Sequence, residues 1–166
     1  MAKRVVLIML FMAASANATT VQRLGLEDLA KRAHTIVAGK VTNSRAYWNS
    51  GRKLIFTNYT IQVDESLKGR PVRSLEVTTI GGKIGDVELR VSGMPWFRTG
   101  ENAVVFIEQS GGFQTVLGLG QGKFTITNGE VSNSVGDLSF PDGRPGIPTK
   151  MPLQTFKNQI RNALGR

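Results

Sequence analysis

The chain has 166 residues, 21 Lys and Arg against 12 Asp and Glu for a formal charge of +9, one histidine and no cysteine. The lack of cysteine excludes disulfides, thiolate metal sites, thiol nucleophiles and a lipobox for a lipid anchor, and one histidine excludes a histidine cage or a two-histidine zinc motif. The basic excess favours anionic partners without choosing among phosphates, acidic glycans, lipid head groups and acidic proteins.

Lys3 and Arg4 precede an apolar run from Val5 to Ala14 and the small-x-small triplet Ala16-Asn17-Ala18, the pattern of a secretory signal peptide. The run is far short of the roughly 20 residues that a spanning helix needs, and no later segment approaches that length. The expectation is a signal peptide over 1–18, cleavage before Thr19, and a periplasmic or secreted protein with no membrane span. Residues 19–166 then form a single domain of 148 residues, a size that buries a core without staples. The signal removes two of the 21 basic residues and none of the 12 acidic ones, which leaves +7.

Residues 24–33 space Leu26, Leu29, Ala30 and Ala33 on one helical face, with Glu27 and Asp28 at the N-terminal end, and predict a short amphipathic helix. Residues 35–41 read as a strand that runs into the turn-rich stretch 43–51. From Ile55 the residues Ile55, Thr57, Tyr59, Ile61 and Val63 alternate with polar or outward positions, which predicts a long half-buried strand ending at the 66–71 turn. Strands follow over 75–80, closed by Gly81-Gly82, and over 87–91, then a loop over 92–101. The unbroken apolar run Ala103 to Ile107 suits a central strand covered on both faces. Gly111-Gly112 predicts a hairpin into 113–117, and Asn128-Gly129 a tighter one between 123–127 and 131–135. Residues 136–150 read as loop. Leu153, Phe156, Ile160 and Leu164 form one helical face between Pro152 and Gly165. Seven or eight short strands with a helix at each end describe a mainly β domain, a small barrel or sandwich.

Catalytic and metal-binding constellations do not assemble. His34 sits where the first helix meets the first strand, a position suited to interaction with the helix end. There is no Gly-x-Ser-x-Gly elbow for a serine triad and no Asp-rich calcium loop. Asp86 and Glu88 share a strand face, as solvent-facing charges commonly do. The run Gly118-Leu-Gly-Gln-Gly-Lys123 lacks the Ser or Thr that a phosphate loop carries after its lysine, and it opens a strand. No cofactor, metal or catalytic residue is assigned, and the chain is read as a non-enzyme.

Aromatic residues supply the candidate binding positions. Tyr47 and Trp48 fall in one expected loop near Arg52, and Trp96 and Phe97 in another beside Arg98. Large amphipathic rings flanked by arginines anchor protein partners or stack on sugars. The competing reading is that Trp96 and Phe97 fold back and plug a barrel end.

Four segments carry a family resemblance: His34-Thr-Ile-Val-Ala-Gly-Lys-Val41, Tyr59-Thr-Ile-Gln-Val-Asp-Glu-Ser-Leu-Lys-Gly69, Leu75-Glu-Val-Thr-Thr79 and Gly100-Glu-Asn-Ala-Val-Val-Phe-Ile107. In this order they resemble the netrin-like domain, the barrel of tissue inhibitors of metalloproteinases. The resemblance implies a small OB-like barrel with a short N-terminal and a C-terminal helix, as in exported bacterial proteins of similar layout. Those inhibitors chelate a protease zinc through a disulfide-anchored N-terminal cysteine, which this chain lacks. The expected function is an exported, non-catalytic module that engages another protein, with a secreted protease among the partners considered. Binding of an anionic polysaccharide or oligosaccharide is the alternative, and an unrecognised enzyme the third reading. Export argues against nucleic acid as a partner.

Overall fold

The computed structural model describes residues 21–166; the expected signal peptide and cleavage site lie outside the described residues. The chain order is α1 (Leu26–Arg32), β1 (Thr35–Trp48), β2 (Ile55–Lys68), β3 (Ser74–Ile80), β4 (Gly82–Ile84), β5 (Val87–Leu89), β6 (Asn102–Ser110), β7 (Phe113–Val116), a 3-10 turn (Leu119–Gly122), β8 (Lys123–Thr127), β9 (Glu130–Asn133), β10 (Lys150–Pro152) and α2 (Leu153–Ala163). The protein is mainly β with a helix near each end of the described chain, as expected.

One antiparallel sheet runs in the order β10-β9-β8-β6-β1-β2-β3, and β7 also pairs with β6. A single edge of β6 receives both β8, at Asn102–Val105, and β7, at Ile107–Ser110. β7 and β8 are therefore two halves of one strand path, separated by the 3-10 turn. Every ladder is antiparallel, so β3 and β7 point the same way. They lie side by side, and no ladder joins them among the described pairings.

The central strands β1 and β6 are buried on both sides because their alternate residues enter two different cores. Ile36, Ala38, Val104 and Phe106 face the helices, where they meet Leu29, Phe124, Phe156 and Ile160. The rings of Phe106, Phe124 and Phe156 pack at 4.4–6.1 Å between centroids, within the range where aromatic edges and faces attract. Val37, Val41, Val105 and Ile107 take the far face with Tyr59, Val77, Phe97 and Val116. Val77 comes from β3 and Val116 from β7, so the sheet curls until β3 and β7 share one core.

Polar anchors hold the helices. The Lys68 ammonium donates to the Ala30 and Lys31 carbonyls at 2.9 and 2.8 Å, closing the C-terminal end of α1; burial lowers its pKa. Glu65 accepts from Lys157 at 2.6 Å and from Arg161 at 2.9 Å, which ties α2 to β2. Asn128 and Gly129 both have positive φ, 51° and 78°, as a two-residue hairpin of the primed type requires.

Three expectations change. β1 does not end at Val41: after a register shift its polar half pairs with β2 from Asn43↔Thr60 to Trp48↔Ile55, and with β3 on the other edge of β2 from Phe56 to Gln62 it forms a three-stranded arm. Residues 82–89 form a separate hairpin outside the main sheet, and Val87 is 51% exposed. The segment 136–150, expected as loop, contributes Lys150 to β10 on the edge of β9.

Candidate functional site

Tyr47 and Trp48 lie at the end of β1 rather than in a loop. Successive strand residues take opposite faces, so the two rings separate. Tyr47 stacks on its ladder partner Phe56 at 6.0 Å, and Phe56 meets Phe113 edge-on at 5.7 Å. Trp48 pairs with the fully buried Ile55 and so belongs to the opposite side of the arm. The turn beyond is organised by Asn49, whose carboxamide oxygen accepts from the Lys53 and Leu54 backbone N–H groups. Arg52 sits on this turn with φ 48° and is exposed.

The second aromatic pair also divides. Phe97 is 6% exposed and packs on Tyr59 at 4.8 Å, which corrects its place among the surface residues: it fills the far-face core as the plug reading has it. Trp96 stays 41% exposed, with the Arg90 guanidinium 5.8 Å from its ring centroid. Burial pushes the Tyr59 phenol pKa up, while hydrogen bonds to the Phe97 backbone, Thr79 and Thr57 pull it the other way.

Gly81 brings the two regions to one end of the molecule. Its N–H donates to the Ile55 carbonyl at 2.7 Å, and Ile55 is the ladder partner of Trp48. A Cβ on Gly81 would stand 3.6 Å from Trp96 Cζ2. Trp96 thus lies beside Gly81, Trp48 stands across Ile55 from the same glycine, Arg52 lies on the turn between β1 and β2, and Arg98 follows Phe97. Arg52 and Arg98 are exposed and make no salt bridge among the described residues.

Beside Trp96 opens a cleft of about 370 Å³ that sequence patterns did not single out. It follows from the alternation of β8 and β9. Phe124, Ile126 and Val131 turn toward the helices, which leaves Lys123, Thr125 and Ser132 on the opposite face under the 93–98 loop. At its base Lys123 Nζ stands 2.6 Å from Glu101 Oε1, with the two side chains 12% and 14% exposed. The ammonium donates to the Trp96 carbonyl and lies 4.7 Å from the centre of the Phe97 ring. Glu101 Oε1 is buried against this ammonium. Asp137 and Arg98 stand at the rim.

His34 is exposed, and its backbone N–H donates to the Ile107 carbonyl at 2.8 Å. Asp86 occupies the turn between β4 and β5, outside either strand, and Glu88 pairs with Arg90 at 2.7 Å. Among the described residues no three His, Asp or Glu side chains gather closely enough to hold a metal, and no helix is long and apolar enough to cross a membrane. Comparison with protein-family models, curated proteins and solved structures yields no match.

Proposed function

We propose that the protein is an exported, non-catalytic binding module whose recognition surface is the end carrying Trp48, Arg52, Trp96 and Arg98, and whose partner is another exported protein. The observation that carries this reading is that Trp96 lies beside Gly81, which bonds the ladder partner of Trp48, so two partly exposed indoles are linked through Ile55, with Arg52 on the neighbouring turn and Arg98 two residues from Trp96, both arginines exposed and without a salt bridge among the described residues. Tryptophan and arginine dominate the energetics of protein contacts because each brings large area or several donors at modest entropic cost.

The strand order supports a partly open OB-type barrel for the fold. β1, β2 and β3 form a meander, β6 returns to pair with β1, and β7 lies beside β3 in the same direction. Such barrels place their contacts on end loops. The netrin-like reading rests on this order and on the four sequence segments.

The test is capture of partners from the native exported fraction by the wild-type chain and by Trp48→Ala/Arg52→Ala. A true interface loses at least about tenfold in affinity, or roughly 1.4 kcal/mol, while the fold is unchanged. Retention of full affinity by the double variant rejects this surface. A salt titration discriminates the alternative, because binding to an anionic polymer weakens steeply with salt and an indole-anchored protein contact does not.

A further inference from the structure

The cleft under the 93–98 loop has a chemistry of its own. Its charged lining is balanced, Lys123 and Arg98 against Glu101 and Asp137. Trp96, two-fifths exposed, is among its lining residues. Ser132, exposed on β9, also lines it. At the base, the Glu101 carboxylate is held by the Lys123 ammonium at 2.6 Å and its side chain stays 14% exposed.

We propose that this cleft binds one neutral pyranose ring, with an apolar C–H face against Trp96 and hydroxyls directed to Glu101, Asp137, Arg98 and Ser132. A ring of this kind has both features the cleft complements. Its axial C–H bonds present an apolar face to an aromatic surface, and its hydroxyls both donate and accept, as paired carboxylates, a guanidinium and a serine require. An anionic ligand fits less well, since Lys123 is already paired and two carboxylates face the space. A wholly apolar ligand would strand the polar base. The volume suits a ring or a short saccharide. This inference does not depend on the protein-binding surface, with which it shares Trp96 and the rim residue Arg98.

The two tryptophans give two indole N–H signals in a proton–nitrogen NMR spectrum, assigned with Trp48→Phe and Trp96→Phe. The probes are the methyl pyranosides of glucose, galactose and mannose, with glucuronic acid as the charged counterpart. At least one neutral glycoside is expected to shift the Trp96 signal and the Ser132 amide saturably, without moving the Trp48 signal. Trp96→Ala, read at the Ser132 amide, weakens binding about tenfold or more. Ser132→Tyr fills the cleft from an exposed strand position and abolishes the shift of Trp96 in a protein whose thermal unfolding is unchanged. Glucuronic acid binds more weakly than the neutral glucoside. The proposal is overturned if no neutral glycoside shifts Trp96, if Ser132→Tyr leaves the shift intact, or if glucuronic acid binds more tightly. None of these results bears on partner capture by the Trp48 and Arg52 variants, so the two readings fail separately.

Discussion

Phe97→Ala and Trp96→Ala, adjacent truncations on one loop, are expected to have opposite characters. Phe97 is 6% exposed and its ring sits on Tyr59 in the far-face core. Truncating a buried phenylalanine costs about 3–5 kcal/mol, with the cavity left behind included. A loop-borne ring leaves a cavity that relaxes in part, so the low end, about 3 kcal/mol, applies. Loss of the ring under the Lys123 ammonium, 4.7 Å away, contributes a further 0.5–1 kcal/mol or so. For a domain of this size each kcal/mol moves the melting temperature by about 2–4 °C, so a total of about 3.5–4 kcal/mol places the Phe97 variant roughly 7–16 °C below wild type. Trp96, two-fifths exposed, should lose under about 1 kcal/mol. Urea unfolding with an unchanged m-value measures both. A loss below about 1 kcal/mol for Phe97→Ala, or equal losses for the two variants, would refute the division of this pair into core and surface.

The base of the cleft gives a second expectation: Lys123→Met leaves the Glu101 carboxylate uncompensated behind 14% exposure and costs about 3 kcal/mol, whereas Lys123→Met/Glu101→Gln recovers most of it. Equal losses for the single and double variants in urea unfolding would show that the pair is not coupled. Glu65 gives a pH dependence. The Lys157 ammonium and Arg161 guanidinium hold its carboxyl below the ordinary 4.5, so its stabilisation is complete above that value and is lost as pH falls through the lower folded-state value. The group is a third exposed, so solvent screening limits the effect to about 1 kcal/mol. Glu65→Gln should lower stability at pH 7 by that amount and flatten the acid limb between pH 5 and 3, roughly; an acid limb unchanged from wild type would sink the assignment.

How much was legible in the sequence depended on whether burial imposed a period. The run from Ala103 to Ile107 announced a doubly covered strand because both of its faces meet apolar layers, and all five residues are fully buried. Asn128-Gly129 announced its hairpin because few residues other than glycine and asparagine accept positive φ. The arm beyond Val41 gave no such signal: Thr42 to Arg45 are all exposed, so their pairing leaves no hydrophobic alternation, and the turn residues at Asn43-Ser44 suggested an exit from the sheet. Tyr47 and Trp48 consequently read as one loop patch in the sequence, although strand alternation sends them to opposite sides. The cleft was illegible for another reason. Glu101 and Lys123 are far apart in the chain, and they meet only because β8 pairs with the first half of β6, a tertiary fact that no local spacing encodes.

The glycine-rich run before Lys123 connects these observations. It lacks the features of a phosphate loop, and the structure gives it different work. A Cβ on Gly122 would fall 2.2 Å from the Leu117 carbonyl oxygen, so only glycine permits the tight excursion that interrupts the strand path between β7 and β8. The Gly120 N–H in that excursion donates to the Gly93 carbonyl at 2.9 Å, and the Ser92 hydroxyl donates to the Asp137 carbonyl at 3.0 Å. These bonds pin the start of the loop that presents Trp96, Phe97 and Arg98. Gln121, 3% exposed, accepts from the Leu24 N–H and donates to the Gln22 and Gly118 carbonyls, so the same turn also fastens the segment leading into α1. The excursion thus positions the loop over a sheet face that Lys123 and Thr125 make polar. A run whose composition suggested anion binding at its own backbone instead builds the roof of a neighbouring cleft, and the ligand chemistry belongs to that cleft.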